Sequence, residues 1–138
     1  MIEKWVFPCN TKYFDIIEHF KNSDTVVFKR NTRINIGDVV YIYLAAPIQE
    51  IRYICHVINN EVSEEILKQN TYVIPKDFDK KEYHFVMFQL DKEIEAGLLP
   101  YAELKENDIG QVIIPARASR KLKKYLDSKI PSDQLDSY

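Results

Sequence analysis

Glycine and cysteine are both scarce: the 138 residues hold three glycines, Gly37, Gly97 and Gly110, and two cysteines, Cys9 and Cys55. Isolated glycines exclude the glycine-rich phosphate loops, which need several glycines clustered at a strand-to-helix turn. Two cysteines far apart in sequence exclude a disulfide framework and fit a reducing compartment. No run of about 18 apolar residues occurs, which excludes a transmembrane helix, and "MIEKWVFPCN" lacks the apolar centre of a signal peptide. The expectation is a cytoplasmic protein with no membrane partner. Charge of one sign is also missing: 19 Lys and Arg stand against 21 Asp and Glu, for a net charge of -2. That argues against sequence-blind coating of nucleic acid, which requires many neutralised phosphates, but leaves room for a local basic patch.

Catalytic signatures are lacking too. There is no G-x-S-x-G nucleophile elbow. His19, His56 and His84 do not have the close pairing of zinc ligands and read as structural. The triplet Glu103-Leu104-Lys105 has the acid-x-lysine spacing of some metal-dependent nucleases, but it follows Pro100 in a turn or helix and reads as a solvated charged face. No metal or cofactor is expected, and the chain reads as a non-enzyme.

Aromatics are plentiful: nine Tyr, seven Phe and one Trp make up 12% of the chain. They gather in segments rich in β-branched residues, which predict strands at roughly 4–8, 25–30, 38–46, 50–59 and 83–91. The short link "APIQ" predicts a hairpin between the third and fourth strands. Helical spacing of Phe14, Ile17 and Phe20 predicts a helix over Thr11 to Lys21. Further helices are expected at "SEEILKQN", after Pro100, and at "ASRKLKKYLDSKI", where Leu122, Tyr125, Leu126 and Ile130 form an apolar stripe. The fold class is α+β, a bent mixed sheet or small barrel flanked by helices. One domain spans 1–130, and 131–138 forms a polar tail.

Period-2 alternation sets Val39, Tyr41 and Tyr43 on one face of the third strand and Val40, Ile42 and Leu44 on the other. In the next strand it sets Ile51, Tyr53, Cys55 and Val57 together. With Trp5, Asn10, Phe28, Lys29 and Pro47 nearby in the expected fold, the tyrosine face can be read as an aromatic pocket with polar groups at its rim. Stacking on such walls contributes about 1–3 kcal/mol per base. The same pattern is also what plain packing of aromatics on a sheet produces. Arg117, Arg120 and Lys121 lead a cluster of basic residues that can hold phosphates, or simply keep a helix face soluble.

The stretches "WVFPCNTKYFDI", "FKR", "INIGDVVYIYLAAPIQEIRYICHV" and "GQVIIPARASRKLKKYL" together resemble the EVE domain of the PUA-like superfamily. The likeness is to EVE-like modules found beside HNH or restriction-type nuclease domains, and it covers roughly residues 2 to 130. It implies a PUA-like fold that binds DNA or RNA and accepts a flipped, modified base in an aromatic pocket. On that likeness Phe28 and Tyr43 are stacking walls, Asn10 and Lys29 read a base edge or phosphate, Trp5 and Pro47 complete the pocket, and Arg117, Arg120 and Lys121 grip the backbone. Many relatives carry tryptophan where this chain has Phe28. No nuclease domain is attached, so cleavage would need a separate nuclease or restriction partner. The alternative is a protein-interaction subunit on the same fold without nucleic-acid binding.

Overall fold

The computed structural model describes residues 2–30, 32–63, 65–66, 84–110, 112 and 115–130. Its elements run β1 (Lys4–Cys9), α1 (Ile16–Asn22), β2 (Thr25–Arg30), β3 (Val39–Leu44), β4 (Glu50–Asn59), β5 (His84–Glu93), α2 (Tyr101–Glu106), β6 (Ala116–Arg117) and α3 (Arg120–Lys129). Most of the helix expected at 63–70, the start of the strand expected at 83 and the tail at 131–138 lie outside the described residues.

The six strands form one sheet in the order β2-β5-β4-β3-β1-β6. β1 pairs in parallel with β3, and all other pairs are antiparallel. The sheet therefore has an upper end, where β1, β3 and β5 finish and β2 and β4 begin, and a lower end where the reverse holds. The expected α+β mixed sheet with flanking helices is what the chain forms.

β3 lies in the middle of the sheet, and all six of its residues are buried. Its alternation is as expected, but both faces are covered. Val40, Ile42 and Leu44 join Phe7, Phe14, Phe28 and Phe88 in a first core beneath α1. Val39, Tyr41 and Tyr43 join Leu99, Leu104, Leu122 and Leu126 in a second core beneath α2 and α3. Each large side chain so buried contributes about 1.5–3 kcal/mol over exposure.

The pairing of β3 with β4 slips between Ile42 and Tyr43: Ile42 faces Tyr53, whereas Tyr43 faces Ile51. Arg52 is the extra residue of this bulge, which bends the strand and resets its faces. Tyr53 therefore joins the first core and Ile51 the second, correcting the expectation that they share a face.

The Gly37-Asp38 step opens β3. Gly37 takes a left-handed conformation at φ 94°, which side chains with a Cβ rarely adopt. It turns the chain so that Asp38, 1% exposed, enters the sheet. The carboxylate accepts from the Trp5 indole N–H and from the backbone N–H groups of Glu3 and Asn35, each at 3.0 Å.

α1 begins at Ile16 rather than Thr11. Residues 11–13 instead form a turn, with Tyr13 N and Phe14 N donating to the Asn10 carbonyl at 3.0 and 3.2 Å. Asp15 is the cap, its carboxylate accepting from Glu18 N at 3.1 Å. α3 lies within the segment expected from Ala118 but begins after Ser119, whose hydroxyl accepts from Leu122 N at 3.1 Å. Strand β6 was not expected; two residues are too few to show a period.

Candidate functional site

Phe28 lies within the first core, its ring 6.2 Å from Phe7, 6.4 Å from Phe14 and 5.5 Å from Phe88. Tyr43 lies on the other face, edge-on to Tyr101 at 6.1 Å, and is 4% exposed. Burial, and then Tyr101, raise its phenol above the ordinary tyrosine range. The sheet stands between these two rings, so they do not face one another. Trp5 is also buried; its indole is tied to Asp38 and the Arg117 guanidinium lies 5.3 Å over its ring.

Lys29 is exposed near the lower end of β2, while Asn10 and Pro47 are exposed at the upper end. The six expected pocket residues divide: Asn10, Pro47 and Tyr43 lie at the upper end, with Tyr43 turned into the second core, while Trp5, Phe28 and Lys29 lie towards the lower end.

At the upper end, on the first-core side, the structure assembles a different group. Phe20 of α1 and Tyr53 of β4 form a tilted pair with centroids 4.7 Å apart. Burial raises the Tyr53 phenol; Glu93 adds to this and Arg52 opposes it. Cys9, which precedes the Asn10 turn, lies in the same buried core as Tyr53, and Phe20 packs against that core. The Asn10 side-chain oxygen accepts from Lys12 N at 3.0 Å. Its amide nitrogen is left to donate, so Asn10 offers a ligand a donor beside an oxygen with one lone pair still open. Arg52 Nη1 donates to Glu50 at 3.2 Å, and the second Glu50 oxygen accepts from Gly97 N at 2.9 Å. Burial pushes the Cys9 thiol up to about 12, with Asp15 adding to the effect, so it is a poor nucleophile.

Sequence reading passed over Phe20 and Arg52. Phe20 read as one position of a helical stripe. Arg52 reaches this side only through the bulge, which alternation does not reveal.

Arg117, Arg120 and Lys121 are exposed where β6 leads into α3. They adjoin a shallow recess lined by Val6, Ile109, Arg117, Ser119 and Leu122 among others. Asp108 at its rim accepts from the Ser119 hydroxyl at 2.8 Å.

The other titratable groups are engaged in the fold. His19 bonds to the Thr25 carbonyl at 2.6 Å, and His84 to Glu61 at 2.7 Å. His56 bonds to both oxygens of Asp91, at 2.9 and 2.8 Å. Burial raises the Asp91 carboxyl, and the His56 contact opposes that rise. Glu103 is on α2, bonded to Tyr125 at 2.8 Å and Lys129 at 3.1 Å, not at a strand edge. Among the described residues no group of three His, Cys, Asp or Glu could hold a metal ion, and no helix is long and apolar enough to cross a membrane.

No family model and no curated protein matches the chain. Solved structures do. A hypothetical protein from Leishmania major has 15% identity and a TM-score of 0.67, over 97% of this chain and 98% of that one. Human THYN1, in complex with DNA containing 5-methylcytosine, has 12% identity and a TM-score of 0.61, over 91% of this chain and 96% of that one. The Mmi1 YTH domain, in complex with RNA, has 15% identity and a TM-score of 0.60, over 97% of this chain and 80% of that one. The fold is thus PUA-like, as the sequence resemblance implied.

Proposed function

We propose that this protein is a non-enzymatic nucleic-acid reader that accepts an unpaired or flipped, modified base at the upper end of its sheet. The observation that carries the reading is the exposed Asn10 side chain, whose oxygen accepts from Lys12 N and whose amide remains to donate, at the same end of the sheet as Phe20, half-buried on Tyr53. Aromatic faces stack on any base, while a single directed donor reads its edge. The fold shared with a protein bound to methylated DNA and with one bound to RNA supports the same reading. Phe20, which is half-buried, takes the stacking role in place of Phe28 and Tyr43, with the fully buried Tyr53 packed beneath it as support and Pro47 at the rim.

Arg117, Arg120 and Lys121 hold the backbone. Arg117 pairs with Trp5, five residues along β1 from Asn10. That is on the order of 16 Å at strand rise, a span of two to three nucleotides. Extruding a base costs a few kcal/mol, least when it is already single-stranded, so single strands should bind first.

The test is a panel of short oligonucleotides, DNA and RNA, carrying an unmodified, a methylated or an abasic central position. The expected result is tightest binding to a methylated base and weakest to the abasic strand. Equal binding to all three would overturn the reading. The second reading, a protein-interaction subunit, is favoured by the exposure of Tyr13 at 84% and of Ile36 at 65%. Absence of oligonucleotide binding at low salt would favour it.

A further inference from the structure

Arg52 is built into the sheet in a way that packing does not explain. It is the inserted residue of the bulge, with its side chain 19% exposed. One terminal nitrogen bonds Glu50, but Nε is buried and has no hydrogen-bond partner among the described residues. A buried donor without a partner is costly, and in native proteins such a group calls for a missing acceptor. Pairing with the buried Glu50 uses one terminal nitrogen of Arg52 and leaves Nε unmet. Glu50 has a second partner in Gly97 N, and a pair of neutral side chains at 50 and 52 would fill the bulge without the orphaned donor.

The geometry points to Arg52 as a ligand-binding residue: its guanidinium is a rigid set of donors, held by Glu50, for an acceptor atom on the edge of a bound base. The inference rests on the reader function proposed above, since Arg52 stands beside Tyr53 at the same end of the sheet. Charge separates a base edge from a phosphate here. Glu50, buried against Arg52, cancels its charge, and Glu93 pairs with Tyr53 across the sheet. A phosphate would meet two carboxylates with one compensated cation, whereas a neutral carbonyl or ring nitrogen needs only the direction of the N–H. Arginine suits this task because its donors are fixed in one plane. Arg52 presents donors only and the Asn10 amide adds another, so the recognised edge carries acceptors.

The test compares wild type, Arg52→Gln, and the double variant Glu50→Gln/Arg52→Gln. The double variant replaces the ion pair by two amides and leaves no buried carboxylate stranded. Thermal melts establish that each is folded. Binding is read on single-stranded oligonucleotides of about 12 nucleotides with an intact or an abasic central position, across a salt series. The expected result is that wild type prefers the intact strand, and that both variants lose about tenfold of that preference with the salt slope unchanged. Retention of the preference in the folded double variant would overturn the inference about Arg52 alone. So would an equal loss on intact and abasic strands accompanied by a salt slope smaller by one, which marks a phosphate contact. If wild type itself does not distinguish intact from abasic strands, the reader function falls, and this inference with it.

Discussion

Tyr43 and Tyr101 meet edge-on, 6.1 Å apart, and close the second core over the end of β3. A tyrosine so covered is a packing residue. Tyr43→Ala should destabilise the protein by about 3 kcal/mol, as large-to-small changes in a core do. Binding of the folded fraction should be unchanged. Thermal melts paired with oligonucleotide titrations check both halves; a stable variant with lost binding would put Tyr43 back in the site.

Asp38 satisfies three N–H groups at once, one of them from Trp5. Asp38→Ala strands all three in the sheet, and hydrogen bonds to a charged acceptor contribute about 1.5–3 kcal/mol each. The expected loss is about 3 kcal/mol or more, read as a fall in the denaturation midpoint. A loss under about 1 kcal/mol would show that water replaces the carboxylate.

Asn10→Asp separates fold from recognition. The carboxylate still accepts from Lys12 N, so the turn and the melting temperature should hold. The donor is gone and a negative charge faces the ligand, so binding should fall at least tenfold, a change of about 1.4 kcal/mol. Unaltered binding would remove Asn10 from the site.

Neutralising Arg117, Arg120 or Lys121 should weaken binding alike for every base and lower the salt slope by about one unit per contact, less on single strands. Arg117→Gln should also cost about 0.5–1 kcal/mol of stability, because its guanidinium rests on the Trp5 ring. A triple variant with an unchanged slope would assign these residues to solubility alone.

Stability should decline on the alkaline side. Burial raises the thiols of Cys9 and Cys55 and the phenols of Tyr43, Tyr53 and Tyr125. An acid with a raised folded pKa keeps its proton in the native chain after the unfolded chain has released it. Its contribution is therefore complete below the unfolded pKa, about 8.5 for cysteine, and is lost as pH climbs towards the folded value. Melting temperatures should be level from about pH 7 to 8.5 and then fall; a rise above pH 9 would contradict this origin. At pH 8 a thiol reagent should label neither cysteine until the chain is unfolded.

The strand segments were legible because β-branched and aromatic residues mark them: β2 and β4 occupy the expected 25–30 and 50–59. The stripe of α3 was legible for the same kind of reason, a period of 3.6 ending in buried Leu126 and Ile130. The site was less so. Alternation places Tyr41 and Tyr43 on one face, yet says nothing of whether a helix lies over it, and here α2 and α3 do. Asn10 and Lys29 are close in the motif order but sit at opposite ends of antiparallel directions, which only the topology reveals. The bulge at Arg52 left no mark, because an inserted arginine in a strand looks like any polar position. Tyr13, expected inside a helix, stands exposed because Asp15 caps later than Thr11 would have.

β1 lies between β3 and β6, one partner ending at residue 44 and the other at residue 117. During synthesis it is therefore made long before either edge can be occupied. At about 5–20 residues per second, its outer edge waits on the order of ten seconds for β6. Trp5, Val6 and Phe7 spend that interval without their final cover, and non-local pairing of this kind is slow. A chain truncated before residue 116 would keep that edge permanently open. An open edge of this kind is a template for another strand, so the two residues of β6, with the Ala118 N–H that donates to the Lys4 carbonyl, act as a stopper against edge-to-edge association.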